Sequence, residues 1–165
     1  MKSLLPADIE KLAKRVIEEN AKAGRTIALA ESCTGGLVAA ALTEIAGSSA
    51  VLDRGFVTYS NEAKMELLEV SSDIIETFGA VSIACAWAMA QGALRHSNAD
   101  VAVAVSGVAG PGGGTPTKPV GTVVFARLVR GQDAEPEGEL KSFGDIGRAE
   151  VRRQATLCAL ELLLP

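Results

Sequence analysis

Histidine and aromatic side chains are nearly missing from this chain of 165 residues, which has one histidine, one tryptophan and one tyrosine. Any Ser-His-Asp triad would have to use that histidine, His96. Its setting, Arg95-His96-Ser97-Asn98, reads instead as an exposed residue at a helix end. The three cysteines, Cys33, Cys85 and Cys158, lie far apart and form no C-x-x-C pair. A reduced, cytoplasmic setting is the simplest reading of that spacing. No cluster of His, Cys and carboxylates has the spacing of metal ligands, so no catalytic metal is expected. No stretch approaches the ~20 apolar residues of a membrane span. Lys2, Asp8, Glu10 and Lys11 interrupt the opening residues, unlike a signal peptide. A basic surplus is lacking too. The formal net charge of −4 speaks against a protein that coats nucleic acid, and still permits a local pocket for one phosphate.

What the chain does hold is small and apolar. Hydrophobic residues make up 48%, many of them Ala, Val and Leu. Small side chains let helices and strands approach closely, which suits layered α/β packing. A domain of this length buries roughly 68–70% of its unfolded surface and needs no staple.

The hydrophobic periodicity predicts an amphipathic helix over 8–23, started by Asp8 and ended by Gly24. A short strand follows at Thr26–Ala30, a polar turn at Glu31–Gly36 and a helix at Leu37–Ile45. The next strand spans Val51–Tyr59, with a short helix at Glu62–Leu68. Ser72 and Ser82 are candidate helix caps, Ser82 opening a helix to about Arg95. The V-A-V-A-V run at Val101–Val105 is a buried strand. A Gly- and Pro-rich loop covers Ser106–Pro119. Strands are expected at Val120–Val129 and Leu140–Phe143, around a surface loop at Arg130–Gly138, and a last helix at Arg148–Leu163. This order predicts a single domain over 1–165, an α/β fold with one mixed sheet flanked by helices on both faces: three layers, α/β/α.

Four segments can carry chemistry. Glu31-Ser32-Cys33-Thr34-Gly35-Gly36 lies where a strand ends and a helix begins. A hydroxyl there either caps the helix or projects into the crevice at the sheet's carboxyl edge. The exposed N–H groups of such a helix start can receive an anion or a developing oxyanion. Cys33 is a rival nucleophile with no evident partner for its thiolate. Thr58-Tyr59-Ser60-Asn61-Glu62-Ala63-Lys64 again follows a strand. Lys64 would sit in the first helical turn, where the helix dipole disfavours a cation. It is either a solvated surface lysine or a partly buried amine with a lowered pKa. The third segment, Ser106-Gly107-Val108-Ala109-Gly110-Pro111-Gly112-Gly113-Gly114, follows the buried strand, and its amides can cradle a phosphate or carboxylate. It lacks P-loop spacing. The fourth, Gly144-Asp145-Ile146-Gly147-Arg148, puts an arginine at a helix start, where a phosphate would explain it. Arg152 and Arg153 read as helix-surface residues.

Together, AESCTGG at 30–36, GFVTYSNEAK at 55–64, GAVS at 79–82, SGVAGPGGG with KPVG at 106–121, and GDIGR with VRR at 144–153 resemble the CinA C-terminal-domain family. The set covers almost the whole chain in the family's order. The resemblance implies one amidohydrolase domain over 1–165. It implies metal-free hydrolysis of the carboxamide of nicotinamide mononucleotide by a serine paired with a lysine. Carried over, these are Ser32 and Lys64. Thr34, Gly35, Gly36, Tyr59, Ser106, Gly107, Ala109, Gly110 and Arg148 would then bind the substrate. No cofactor is implied, and the expected partners are a pyridine nucleotide and further copies of the chain, not nucleic acid or membrane. The family often has Thr where Ser106 stands, and its longer members carry an N-terminal domain that this sequence lacks. A non-catalytic nucleotide-binding or regulatory module tied to competence or DNA damage is the alternative. Such a module would need the glycine-rich loop but not both Ser32 and Lys64.

Overall fold

A computed structural model describes residues 2–132 and 137–165. Five strands form one sheet in the order β2-β1-β3-β4-β5: β1 Ile27–Glu31, β2 Leu52–Val57, β3 Val101–Gly107, β4 Thr122–Val129 and β5 Glu137–Ser142. β1 runs parallel to both β2 and β3, whereas β4 and β5 are antiparallel additions. Among the described residues the α-helices are α1 Ala7–Ala23, α2 Leu37–Thr43, α3 Asn61–Leu68, α4 Ser72–Phe78, α5 Ile83–Arg95 and α6 Arg148–Leu162. Among the described residues, no helix is long and apolar enough to cross a membrane.

The V-A-V-A-V pattern explains the layering. Val101, Val103 and Val105 face one core, with Ile27, Leu29 and Phe125 and the buried sides of α1, α2 and α6. Ala102 and Ala104 face the other, with Ala28, Ala30 and Ala126 and helices α3 and α5. Strand side chains alternate between faces, so valine serves one layer and alanine the other. The alanine face lets α5 lie close to the sheet. α3 crosses α5 closely as well: a Cβ added at Gly92 would stand 2.1 Å from the carbonyl oxygen of Leu68.

The connections place the site. α2, which links β1 to β2, packs on the valine face. The helices that return from β2 to β3 pack on the alanine face. Chain order reverses between β1 and β3, which opens a crevice beyond their carboxyl ends. Register brings Glu31 beside Val105 on one side and Val57 on the other. Residues 32, 58 and 106 therefore emerge together.

Several boundaries differ from expectation. β2 ends at Val57; the Thr58 N–H still donates to the Glu31 carbonyl at 2.8 Å, and the chain then enters α3 through the Ser60 cap. β3 continues to Gly107, paired with Val123. β5 begins at Glu137, inside the expected loop; residues 133–136 of that loop lie outside the described residues. Pro6 rather than Asp8 stands at the N-cap position of α1, with no side-chain capping bond, and Ser71 rather than Ser72 caps α4. Ser82 caps α5 as expected, accepting from Cys85 N–H.

Gly92→Ala should displace α3 from α5, because the new methyl meets backbone. We expect a loss of about 1–3 kcal/mol, typical of overpacking, and a Tm lower by several degrees in calorimetry. An unchanged Tm would show that the crossing is loose.

Candidate active site

A cleft of about 160 Å³ opens where the crevice was expected. Ser32, Cys33, Lys64, Ser106 and Ala109 are its buried lining, and Gly107 is half-buried. Tyr59, Asn61 and Arg148 stand towards its mouth, with Ala80 and Val81 closing the remaining side.

Lys64 is 1% exposed despite being a lysine. Ser60 caps α3 through Ala63 N–H, which places Lys64 in the first turn, aimed inward rather than at solvent. Its Nζ lies 2.9 Å from Ser32 Oγ, 2.9 Å from the Thr58 carbonyl oxygen and 3.1 Å from the Tyr59 carbonyl oxygen. Burial pushes its pKa below the ordinary lysine value; the thiols Cys85 and Cys33 pull weakly the other way. A neutral amine has two N–H donors and one lone pair. With both donors held by the carbonyls, the lone pair is left for the Ser32 hydroxyl. That arrangement can accept a proton from Ser32.

Cys33 is buried and its thiol is pushed up to about 12, chiefly by desolvation. The thiolate a nucleophile needs is therefore suppressed. His96 sits at the end of α5, where it meets Glu69.

The turn after β1 departs from expectation in one important respect. Glu31 is 1% exposed, and its carboxylate accepts from the Val38 N–H at 3.0 Å and the Ala39 N–H at 3.1 Å. It also accepts from the Thr34 hydroxyl at 2.6 Å. The N–H groups at the start of α2, expected to receive an anion, are thus occupied by this chain's own carboxylate. Thr34 is fully buried behind the cleft, and neither it nor Gly35 and Gly36 lines it. The two glycines instead supply the positive φ values, 60° and 101°, that turn the chain into α2.

Gly110 does not line the cleft either. Its carbonyl accepts from Arg148 Nη1 at 2.7 Å, and Arg148 Nη2 donates to the Tyr59 hydroxyl at 3.0 Å. Arg148 therefore ties the glycine-rich loop to the α3 entry at the cleft mouth. The Ser106 hydroxyl donates to the Ala80 carbonyl, fixing the wall at 80–81. Sequence reasoning assigned no role to Glu31, Asn61, Ala80, Val81 or Arg152. Arg152 is not a free surface residue: its Nε donates to the Cys33 carbonyl at 3.1 Å and its Nη2 reaches the Thr34 carbonyl at 3.4 Å. Its spacing of four from Arg148, which puts both on one helix face, was the available signal. Arg153 is spent on Glu150 and Asp8.

A three-layer α/β protein with a serine hydroxyl and a buried amine at its switch point defines a class, and comparison with known proteins narrows it. Residues 9–165 match the CinA C-terminal domain, and the chain belongs to that family. It is 47% identical to nicotinamide-nucleotide amidohydrolase PncC of Escherichia coli K12, over 95% of this chain and 93% of that protein. The protein of the same name from Enterobacter agglomerans is 53% identical, over 86% and 84% respectively. A crystal structure of the competence/damage inducible protein CihA from Agrobacterium tumefaciens superimposes with a TM-score of 0.94 at 53% identity, covering 98% of this chain and 97% of that one. Other relatives are longer. The chain spans 30% of the putative competence-damage inducible protein of Symbiobacterium thermophilum, at 56% identity over 78% of this chain.

Glu31→Gln would turn an amide NH2 towards backbone N–H donors. We expect a loss of about 1–3 kcal/mol for the broken buried contacts, read as a lower urea midpoint at unchanged m-value. No change in the midpoint would mean that the carboxylate does not hold the turn.

Proposed function

We propose that this protein hydrolyses the carboxamide of nicotinamide mononucleotide to nicotinate mononucleotide and ammonia. Ser32 is the nucleophile, Lys64 the general base and acid, and no metal takes part. The observation that carries this reading is the buried Lys64 amine, 2.9 Å from Ser32 Oγ with two carbonyls on its other sides. The near full-length likeness to two proteins named nicotinamide-nucleotide amidohydrolase supports the substrate.

The geometry supports the following steps. Ser32 Oγ attacks the amide carbon as Lys64 Nζ takes its proton. The C–N bond of the tetrahedral adduct breaks, and the Lys64 ammonium gives its proton to the departing nitrogen, which leaves as ammonia. Water then attacks the Ser32 ester while Lys64 takes a water proton. The ester C–O bond breaks and Ser32 regains the proton from Lys64. The ring enters, and the 5′-phosphate stays at the mouth beside Arg148, whose remaining N–H groups suit a phosphate. The reaction runs in the cytoplasm, in a homo-oligomer. The non-catalytic alternative gives no reason to bury a lysine against a serine.

Incubation of the purified protein with nicotinamide mononucleotide should release ammonia at full rate after exhaustive chelation. Absence of ammonia, or loss on chelation restored by zinc, would contradict the assignment. The pH profile has a defined sign. A base whose pKa is lowered by burial is active above that pKa, so the rate should rise with pH and reach its plateau below the ordinary lysine range. Lys64→Arg keeps the charge but cannot act as a base. Both Lys64→Arg and Lys64→Ala should lose activity by a similar factor, on the order of 10²–10⁴. Near-normal kcat in Lys64→Arg would refute the proton transfer.

A further inference from the structure

We propose that the outer edge of β5 is the interface between two copies of this chain, paired antiparallel about a twofold axis at Leu140. This gives the homo-oligomer proposed above a location and does not rest on the reaction. β5 is the last strand of the sheet, and among the described residues no strand covers its outer side. An open edge of this kind is a ready template for another strand. The backbone groups it offers follow from the ladder. Phe143 N–H donates to the Gly121 carbonyl, continuing the register in which Ser142 stands opposite Thr122. Successive residues of a strand turn their N–H and C=O to opposite sides. Glu139 and Lys141 therefore direct theirs to β4, and Gly138, Leu140 and Ser142 hold theirs outward.

A twofold interface joins the same patch of both subunits, so the patch must complement itself. With the axis at Leu140, that residue exchanges both backbone hydrogen bonds with the partner's Leu140, and Gly138 does so with the partner's Ser142. Glu139 then faces the partner's Lys141, and Lys141 faces the partner's Glu139. Moving the axis to Glu139 or to Lys141 would set two like charges directly opposite each other, which is unfavourable. The charge pattern thus selects Leu140. The two faces are sorted as well. Glu139 and Lys141 stand opposite Phe125 and Val123 on the valine face. Leu140 stands opposite Val124 on the alanine face. There Ile83 lies so close over Gly138 that an added Cβ would stand 2.4 Å from its Cγ2, and Trp87 follows one turn along α5. Leu140, Ile83 and Trp87 are exposed, so apolar side chains flank the axis. The opposite edge, β2, is less suited. Its register steps from Leu52 to Arg54 past Asp53, and such a bulge blunts an edge. Its charges are also engaged within the chain: Arg54 donates to the His96 carbonyl, and Asp53 accepts from the Asn98 N–H.

The test is the self-association of the full chain, measured by sedimentation equilibrium at low salt. The parent chain should be a dimer. Glu139→Lys and Lys141→Glu each set like charges against each other across the axis, and each should weaken association on the order of 10-fold. The double swap, Glu139→Lys with Lys141→Glu, should restore it. An equimolar mixture of the two single variants should also associate like the parent, since each presents the sign that the other lacks. Recovery in the mixture shows at the same time that both variants are folded. Leu140→Lys, which puts two ammonium groups on the axis, should be a monomer with an unchanged Tm. A monomeric parent would overturn the proposal and the homo-oligomer with it. A dimer that the single variants and Leu140→Lys leave intact would overturn the β5 interface alone. So would a loss in the single variants that neither the double swap nor the mixture recovers. Ammonia release enters none of these measurements, so the substrate assignment stands or falls separately.

Discussion

A lysine ammonium buried at 1% exposure would be expensive, and the rest of the site is arranged around that cost. Its nitrogen has three oxygen neighbours, which suit an ammonium as three acceptors or a neutral amine as two acceptors and one proton donor. Desolvation favours the neutral form. The Thr58 N–H still donates to the Glu31 carbonyl of β1, while the carbonyls of Thr58 and Tyr59 both meet the Lys64 amine. The Ser60 cap then starts α3 at the point that puts Lys64 over Ser32.

The sheet and its helices hold these parts in register. Ser32 and Ser106 leave parallel neighbours at the same level because Glu31 pairs with Val105. The alanine face draws α5 against the sheet, and Gly92 lets α3 close onto α5. Behind Ser32, Glu31 satisfies the start of α2 from within the protein. A buried carboxylate bonded to backbone N–H groups is a rigid support, since it has little room to repack. Arg148 performs the corresponding task at the mouth, joining the loop after β3 to Tyr59.

The layered fold was legible in the sequence because its signal is local: V-A-V-A-V for a strand covered on both faces, glycines at helix ends, serines at caps. The ends of β2 and β3 were not, since pairing with Val123 extends β3 past its apolar run and the Ser60 cap starts α3 directly after β2. Ser32 and Lys64 were recognisable as candidates, yet whether Lys64 is solvated or buried depends on the packing of α3 against α5, which spacing does not encode. Glu31 and Arg152 were passed over because both act through backbone atoms. A carboxylate before a Ser-Cys-Thr turn shows nothing in sequence of the N–H groups it will reach. Arg152 meets its carbonyls only after α6 has folded back across the valine face.

The central claim is that Lys64 is held as a neutral amine beside the Ser32 hydroxyl. The direct measurement is an NMR titration of the Lys64 side chain in protein labelled with ¹³C at lysine Cε, assigned with Lys64→Arg. The account predicts one lysine resonance that titrates well below the others and disappears in the variant. A Lys64 resonance that titrates with the surface lysines would contradict it.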